Sequence, residues 1–153
     1  MKYSTKLSDA VHIVVFIAIN PEINLSSNTI ATSVQTNPSF VRQIMMKLKK
    51  AGLMSSINGH AKPSLAKHPK EITLLDIYKA VEGNKPLLHL DTHTNPDCRV
   101  GVNIQLALQD YYDEIQKETE KHMSSITLQN IIELYHKKSD QTDTCQKNQE
   151  EWS

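Results

Sequence analysis

The chain has 153 residues, 39% of them hydrophobic and 22% charged, which suits one domain with a short extension and a single core. No stretch approaches the roughly 20 apolar residues of a membrane helix, and two cysteines, Cys98 and Cys145, are too few for a disulfide framework and suit a reducing compartment. The net charge of zero hides an asymmetry: residues 1–70 hold nine Lys/Arg against two Asp/Glu (+7), residues 71–153 eight against fifteen (−7), so the first half has the charge of a nucleic-acid footprint.

The opening Met1–Lys6 is basic and Val11–Ile19 apolar, but the run is short, broken by His12 and followed by no small-residue cleavage site. No signal peptide is expected, and a cytoplasmic location follows. Ser4 or Thr5 is a cap for a first helix, in which Leu7, Ala10, Val11, Val14, Val15 and Ala18 form an apolar stripe until Asn20-Pro21 stops it. Ser26-Ser27-Asn28 then caps a short helix over Thr29–Val34 with Ile30, Ala31 and Val34 inward. Gln35-Thr36 turns the chain, Asn37 caps a third helix, and Pro38 occupies its first position, where no N–H is needed. Val41, Ile44, Met45 and Leu48 are its buried face, and Gly52 ends it.

Short helix, tight turn and longer helix is the order of a helix-turn-helix. Leu53–Ile57 reads as a strand, Asn58-Gly59 as a hairpin turn and Ser64-Leu65-Ala66 as the return, a candidate wing. Thr73 caps a helix with Leu74, Ile77, Tyr78 and Val81 on one side, ended by Gly83. Residues 84–98 read as a loop. From Arg99 to Met123 runs the longest helical pattern, with a stripe of Ile104, Leu108, Tyr111, Tyr112, Ile115, Thr119 and His122. Thr127 caps a last helix with Leu128, Ile131, Ile132 and Tyr135. The expected division is therefore residues 1–83 as a DNA-binding domain, 84–98 as a loop, 99–136 as dimerisation helices and 137–153, nearly all polar, as a disordered tail.

On this reading the third helix is the recognition helix, presenting Ser39, Phe40, Arg42, Gln43, Met46 and Lys47 outward. Phe40 is equally suited to anchoring the core. Arg42 matches guanine O6/N7 and Gln43 adenine N6/N7. Lys47, Lys49, Lys50 and Lys62 would neutralise phosphates, His60 could reach one from the wing, and Asn28 and Thr29 offer free helix N-terminal N–H groups to another. The partners expected are double-stranded DNA and a second copy bound through helix 99–123, whose apolar stripe a small winged helix cannot cover alone.

Four segments in register resemble the Rrf-two family of bacterial regulators. They are Ser4-Thr5-Lys6 with its apolar helix; Phe40-Val41-Arg42-Gln43-Ile44 followed by Lys47-Leu48-Lys49-Lys50-Ala51-Gly52-Leu53; Glu71-Ile72-Thr73-Leu74-Leu75-Asp76-Ile77 through Lys79-Ala80-Val81-Glu82-Gly83; and Cys98 through the long helix to Ser125-Ile126-Thr127-Leu128. The resemblance spans about residues 1–135. It implies a mostly α fold, a winged helix-turn-helix with a two-stranded wing and a long C-terminal dimerisation helix, acting on promoters.

Two departures matter. The family wing reads Arg-Gly-x-Gly-Gly-Gly-Tyr, whereas Asn58-Gly59-His60-Ala61-Lys62-Pro63-Ser64 lacks the arginine. Cluster-binding members carry three closely spaced cysteines before the long helix; Cys98 matches the first, and Val100, Val102 and Ile104 occupy the neighbourhood of the others. No iron–sulfur cluster or other cofactor is expected, as in the cluster-less branch. Cys98, at a helix N-terminus beside Arg99, reads either as a small buried hydrophobe or as a redox sensor whose thiolate the dipole favours. Cys145 is the weaker candidate, and the His89, His93, Cys98 spacing matches no standard zinc pattern. A repressor reading a palindromic site as a homodimer is the expected function. The alternatives are a protein-binding adaptor, or a regulator that senses a small molecule rather than redox state. No catalytic signature argues for an enzyme.

Overall fold

The computed structural model describes the backbone at residues 4–21, 25–56 and 62–150, and side chains as far as residue 141 except Ser56. The order of elements is α1 (Lys6–Ile19), α2 (Ser27–Val34), α3 (Pro38–Lys50), β1 (Met54–Ser56), β2 (Pro63–Leu65), a 3-10 turn (Pro69–Glu71), α4 (Leu74–Glu82), α5 (Arg99–Ser124) and α6 (Leu128–Glu150). This is the mostly helical winged helix-turn-helix expected from the sequence. β1 and β2 pair antiparallel with Met54 opposite Leu65, Ser55 opposite Ser64 and Ser56 opposite Pro63. Pro63 opens the edge strand, where its missing N–H is tolerated. The Asn58-Gly59 turn and His60 lie outside the described residues.

Local chemistry sets the helix starts. Ser26 Oγ accepts the Thr29 N–H at 3.2 Å, and Asn37 Oδ1 accepts the Phe40 N–H at 2.8 Å, so α2 and α3 are each closed by a polar cap. The turn between them places Gln35 at φ 60, ψ 50. Thr73 and Asp76 form a reciprocal capping box at the head of α4. Thr127 and Asn130 exchange the same two bonds at the head of α6, at 3.1 and 3.0 Å.

These two heads lie side by side. Leu74 N–H donates to Ile126 O at 2.8 Å and Leu128 N–H to Ile72 O at 2.7 Å, so residues 72–74 and 126–128 pair through an antiparallel bridge at Thr73 and Thr127. Leu128 and Ile132 thereby enter the core built by Ala10, Ile13, Val14, Ile17, Ile30, Val41, Ile44, Leu48, Ile72 and Ile77. One core thus joins both sides of the loop at 84–98.

In α3 and α4 the expected inward faces are observed, with Leu74 half-buried. In α1 the buried residues are Ala10, Ile13, Val14 and Ile17, while Leu7, Val11, Val15 and Ala18 are half-buried. The helix is apolar on most of its circumference, so periodicity alone does not select a face. A second difference is at the C-terminus. The helix continues through Glu150 where a disordered tail from residue 137 is expected, because residues 137–150 contain neither Gly nor Pro and are mostly tolerant of helix.

Candidate nucleic-acid interface

The helix-turn-helix presents α3 with its apolar side against the core and its other side open. At roughly 3.6 residues per turn, Ser39, Arg42, Gln43, Met46 and Lys50 share the side opposite Val41, Ile44 and Leu48. The first group is exposed and the second buried. Met46, 66% exposed, lies on this open side. Arg42 and Gln43 have no hydrogen bond or ion pair from their side chains to any described residue. Their donors and acceptors are open to solvent. Lys49, Lys50 and, at the base of the wing, Lys62 are exposed and without carboxylate partners among the described residues.

Three residues are placed differently from the sequence expectation. Phe40 is half-buried and packs against the core, so its ring takes the anchoring role. Lys47 Nζ donates to Val81 O at 3.4 Å, at the negative C-terminal end of α4, which directs the side chain toward α4 while its other N–H donors stay open. Thr29 N–H is occupied by Ser26 Oγ, which leaves the Asn28 N–H as the open donor at the head of α2. The caps close ends that the phosphate assignment treats as free. Ser39 keeps an open N–H at the head of α3, beside the capped Phe40 amide.

Ahead of α5, Cys98 is exposed rather than buried. It is the N-cap of α5, and its Sγ accepts the Gly101 N–H at 3.4 Å. The loop preceding it is held by Leu87 N–H to Gln116 Oε1 at 2.9 Å. His93 Nδ1 lies 3.2 Å from Asp91 Oδ1. Among the described residues no group of three or more His, Cys, Asp or Glu side chains could hold a metal ion. The side chain of Cys145 is outside the described residues. No helix among them is long and apolar enough to cross a membrane.

Residues 3–134 match the model of a family described as Rrf2, iron-dependent transcriptional regulator. The chain belongs to the Rrf2 family. It is a DNA-binding transcriptional regulator and not an enzyme. It is 36% identical over 129 residues to YwnA of Bacillus subtilis strain 168, which bears the name HTH-type transcriptional regulator; the match covers 84% of this chain and 96% of YwnA. Among solved structures it is similar to T. potens IscR, with a TM-score of 0.63 and 25% identity, covering 87% of each chain. It also shares the fold of CymR, the global cysteine regulator of B. subtilis, with a TM-score of 0.63 and 24% identity over 87% of this chain and 97% of that one. The iron in the family description meets a poor donor set here: one exposed thiol, followed by Val100, Val102 and Ile104.

The group that sequence reasoning misses is Lys6, Lys79 and Lys85, which line a groove with Lys47 and Lys50. The five come from four separated segments, and the excess of positive charge in the first half includes Lys6, Lys47 and Lys50 but not Lys79 or Lys85.

Proposed function

We propose that the chain is a repressor that occupies a palindromic promoter site as a homodimer and needs no metal cluster to do so. The observation that carries this is the division of α3: Val41, Ile44 and Leu48 are buried, while Arg42 and Gln43, on the opposite side, are exposed and make no side-chain bond to described residues. Arg42 reads guanine and Gln43 adenine in the major groove. Ser39 and Asn28 offer N–H groups to the backbone, and Lys49, Lys50 and Lys62 supply the salt-sensitive part of the affinity. Occupying promoter DNA is sufficient to block initiation, so repression is the sign proposed.

Pairing through α5 is supported by its burial pattern. No residue of this 26-residue helix is buried in its own chain, although it carries Val100, Ile104, Tyr111 and Ile115 exposed on one side. We further propose that the exposed Cys98 thiol tunes DNA binding through a mixed or intersubunit disulfide, formed by exchange with a low-molecular-weight disulfide.

The test is Arg42→Ala in a gel-shift titration against the selected promoter duplex and a random duplex. Specific affinity should fall by about 1–3 kcal/mol while random-duplex affinity changes little. Equal loss on both duplexes, or none on either, would remove Arg42 from the reading surface.

A further inference from the structure

A cleft separate from the reading face lies between the head of α1, the end of α4 and the loop that follows it. Its volume is about 860 Å³, within the roughly 300–1,000 Å³ range of small-molecule sites. Its walls are of two kinds. Leu7, Leu87 and Leu88 give an apolar surface, with Leu87 and Leu88 44% and 40% exposed. Lys6 and Lys85 give the charge, and they also line the adjoining groove of about 390 Å³, where Lys47, Lys50 and Lys79 add three more ammonium groups. Among the described residues Glu82 is the one carboxylate lining either space, and it accepts a hydrogen bond from Ser4 Oγ. None of these lysines has a carboxylate within salt-bridge distance among the described residues. Lys6 and Lys85 in the cleft, with Lys47, Lys50 and Lys79 in the groove beside it, outnumber the one carboxylate, so the potential across the two spaces is positive and attracts an anion.

The cleft is wired to both working parts of the regulator. Lys47 of α3 bonds Val81 O, next to Glu82 in the cleft wall. Tyr78 OH donates to Lys85 O at 3.0 Å and fixes the start of the loop on α4. Leu87 N–H donates to Gln116 of α5. Lys50 shares the exposed side of α3 with Arg42 and Gln43, so an anion drawn to the groove competes there with DNA phosphate.

We infer that this cleft binds a small organic anion, a carboxylate or sulfonate on an apolar body, and that its binding weakens the hold on DNA. The regulatory half rests on the DNA-binding reading above; the binding half does not.

The probe is 1-naphthoate, titrated into the full chain by calorimetry beside its uncharged counterpart naphthalen-1-ylmethanol. Naphthoate should bind at least about tenfold more tightly, as two partly solvated ion pairs would give. Lys6→Gln with Lys85→Gln should bring the two ligands together, whereas Lys62→Gln with Lys67→Gln, near the wing base, should not. The single variant Lys85→Gln, at an exposed position outside the core, should give part of the loss and covers the case in which the double variant folds poorly. Equal affinity for charged and uncharged ligands, no naphthoate binding, or binding that survives both cleft variants would overturn the site. Saturating naphthoate should raise the Kd for promoter duplex severalfold, and an unchanged Kd would overturn the regulatory half. A protein that binds naphthoate as described and no duplex at all would instead overturn the reading of α3.

Discussion

Gln35 is the one non-glycine residue with positive φ among those described, and it sits at the turn that sets α2 against α3. An L side chain there costs about 1–2 kcal/mol of steric energy, while glycine would add about 0.5–1 kcal/mol of unfolded-state entropy. The difference favours glycine. Gln35→Gly is expected to stabilise the fold by about 0.5–1 kcal/mol, which for a chain of this size raises Tm by roughly 2–4 °C per kcal/mol. Calorimetric melting checks this, and a lower Tm would mean that the side chain has a role in the turn that its geometry does not reveal. At the same scale, Cys98 is exposed at a helix head, so its thiol is accessible to disulfides, which supports the sensor role proposed above. Cys98→Ser should leave the reduced protein's DNA affinity unchanged and remove the effect of oxidised glutathione on it. A response that persists in the serine variant would move the sensor elsewhere.

At the scale of elements, α6 belongs to the same packing unit as the helix-turn-helix. Leu128 is fully buried, and its backbone N–H is bonded to Ile72 just ahead of α4. Leu128→Ala should therefore cost about 2–5 kcal/mol and lower the melting temperature of the whole reading domain. A separate, earlier transition with the reading domain intact would show instead that α6 is an appendage. This element also shows what periodicity can and cannot reveal. α3 is legible residue by residue because one side is apolar and the other polar, so a period of about 3.6 has a single solution. Thr73 and Thr127 are each legible as caps from their spacing to Asp76 and Asn130. That the two caps lie together is not legible, since nothing local records a pairing across more than fifty positions. α1 is legible as a helix but not in orientation, because neighbours cover it on several sides. The candidate site divides in the same way. Arg42 and Gln43 follow from the face of one helix, whereas the capture of Lys47 by Val81 O and the meeting of Lys6 with Lys85 depend on the tertiary fold.

On the scale of the whole molecule, the deciding quantity is the apolar surface that one chain leaves uncovered. Val100, Ile104 and Tyr111 of α5 are 68%, 58% and 66% exposed, at spacings of four and seven residues along one side of the helix. Each such side chain gains about 1.5–3 kcal/mol when fully buried. In the proposed homodimer, two antiparallel or crossed copies would cover their stripes reciprocally, as a two-fold interface requires. Ile104→Glu with Tyr111→Glu would place charges within that stripe on each partner, and the unfavourable desolvation would be counted twice in a symmetric dimer. If the parent is the proposed dimer, the variant should sediment as a monomer at the same concentration, with a lower melting temperature that no longer depends on protein concentration, while the reading domain stays folded because neither residue belongs to the core. Its affinity for a single half-site should match the parent's, since α3 is untouched. Its affinity for the full palindrome should fall to near that half-site value, because the second α3 is no longer held at high effective concentration. A variant that stays dimeric would place the contact between copies on another face, and a monomer with full palindrome affinity would show that pairing is not what makes the two half-sites act together.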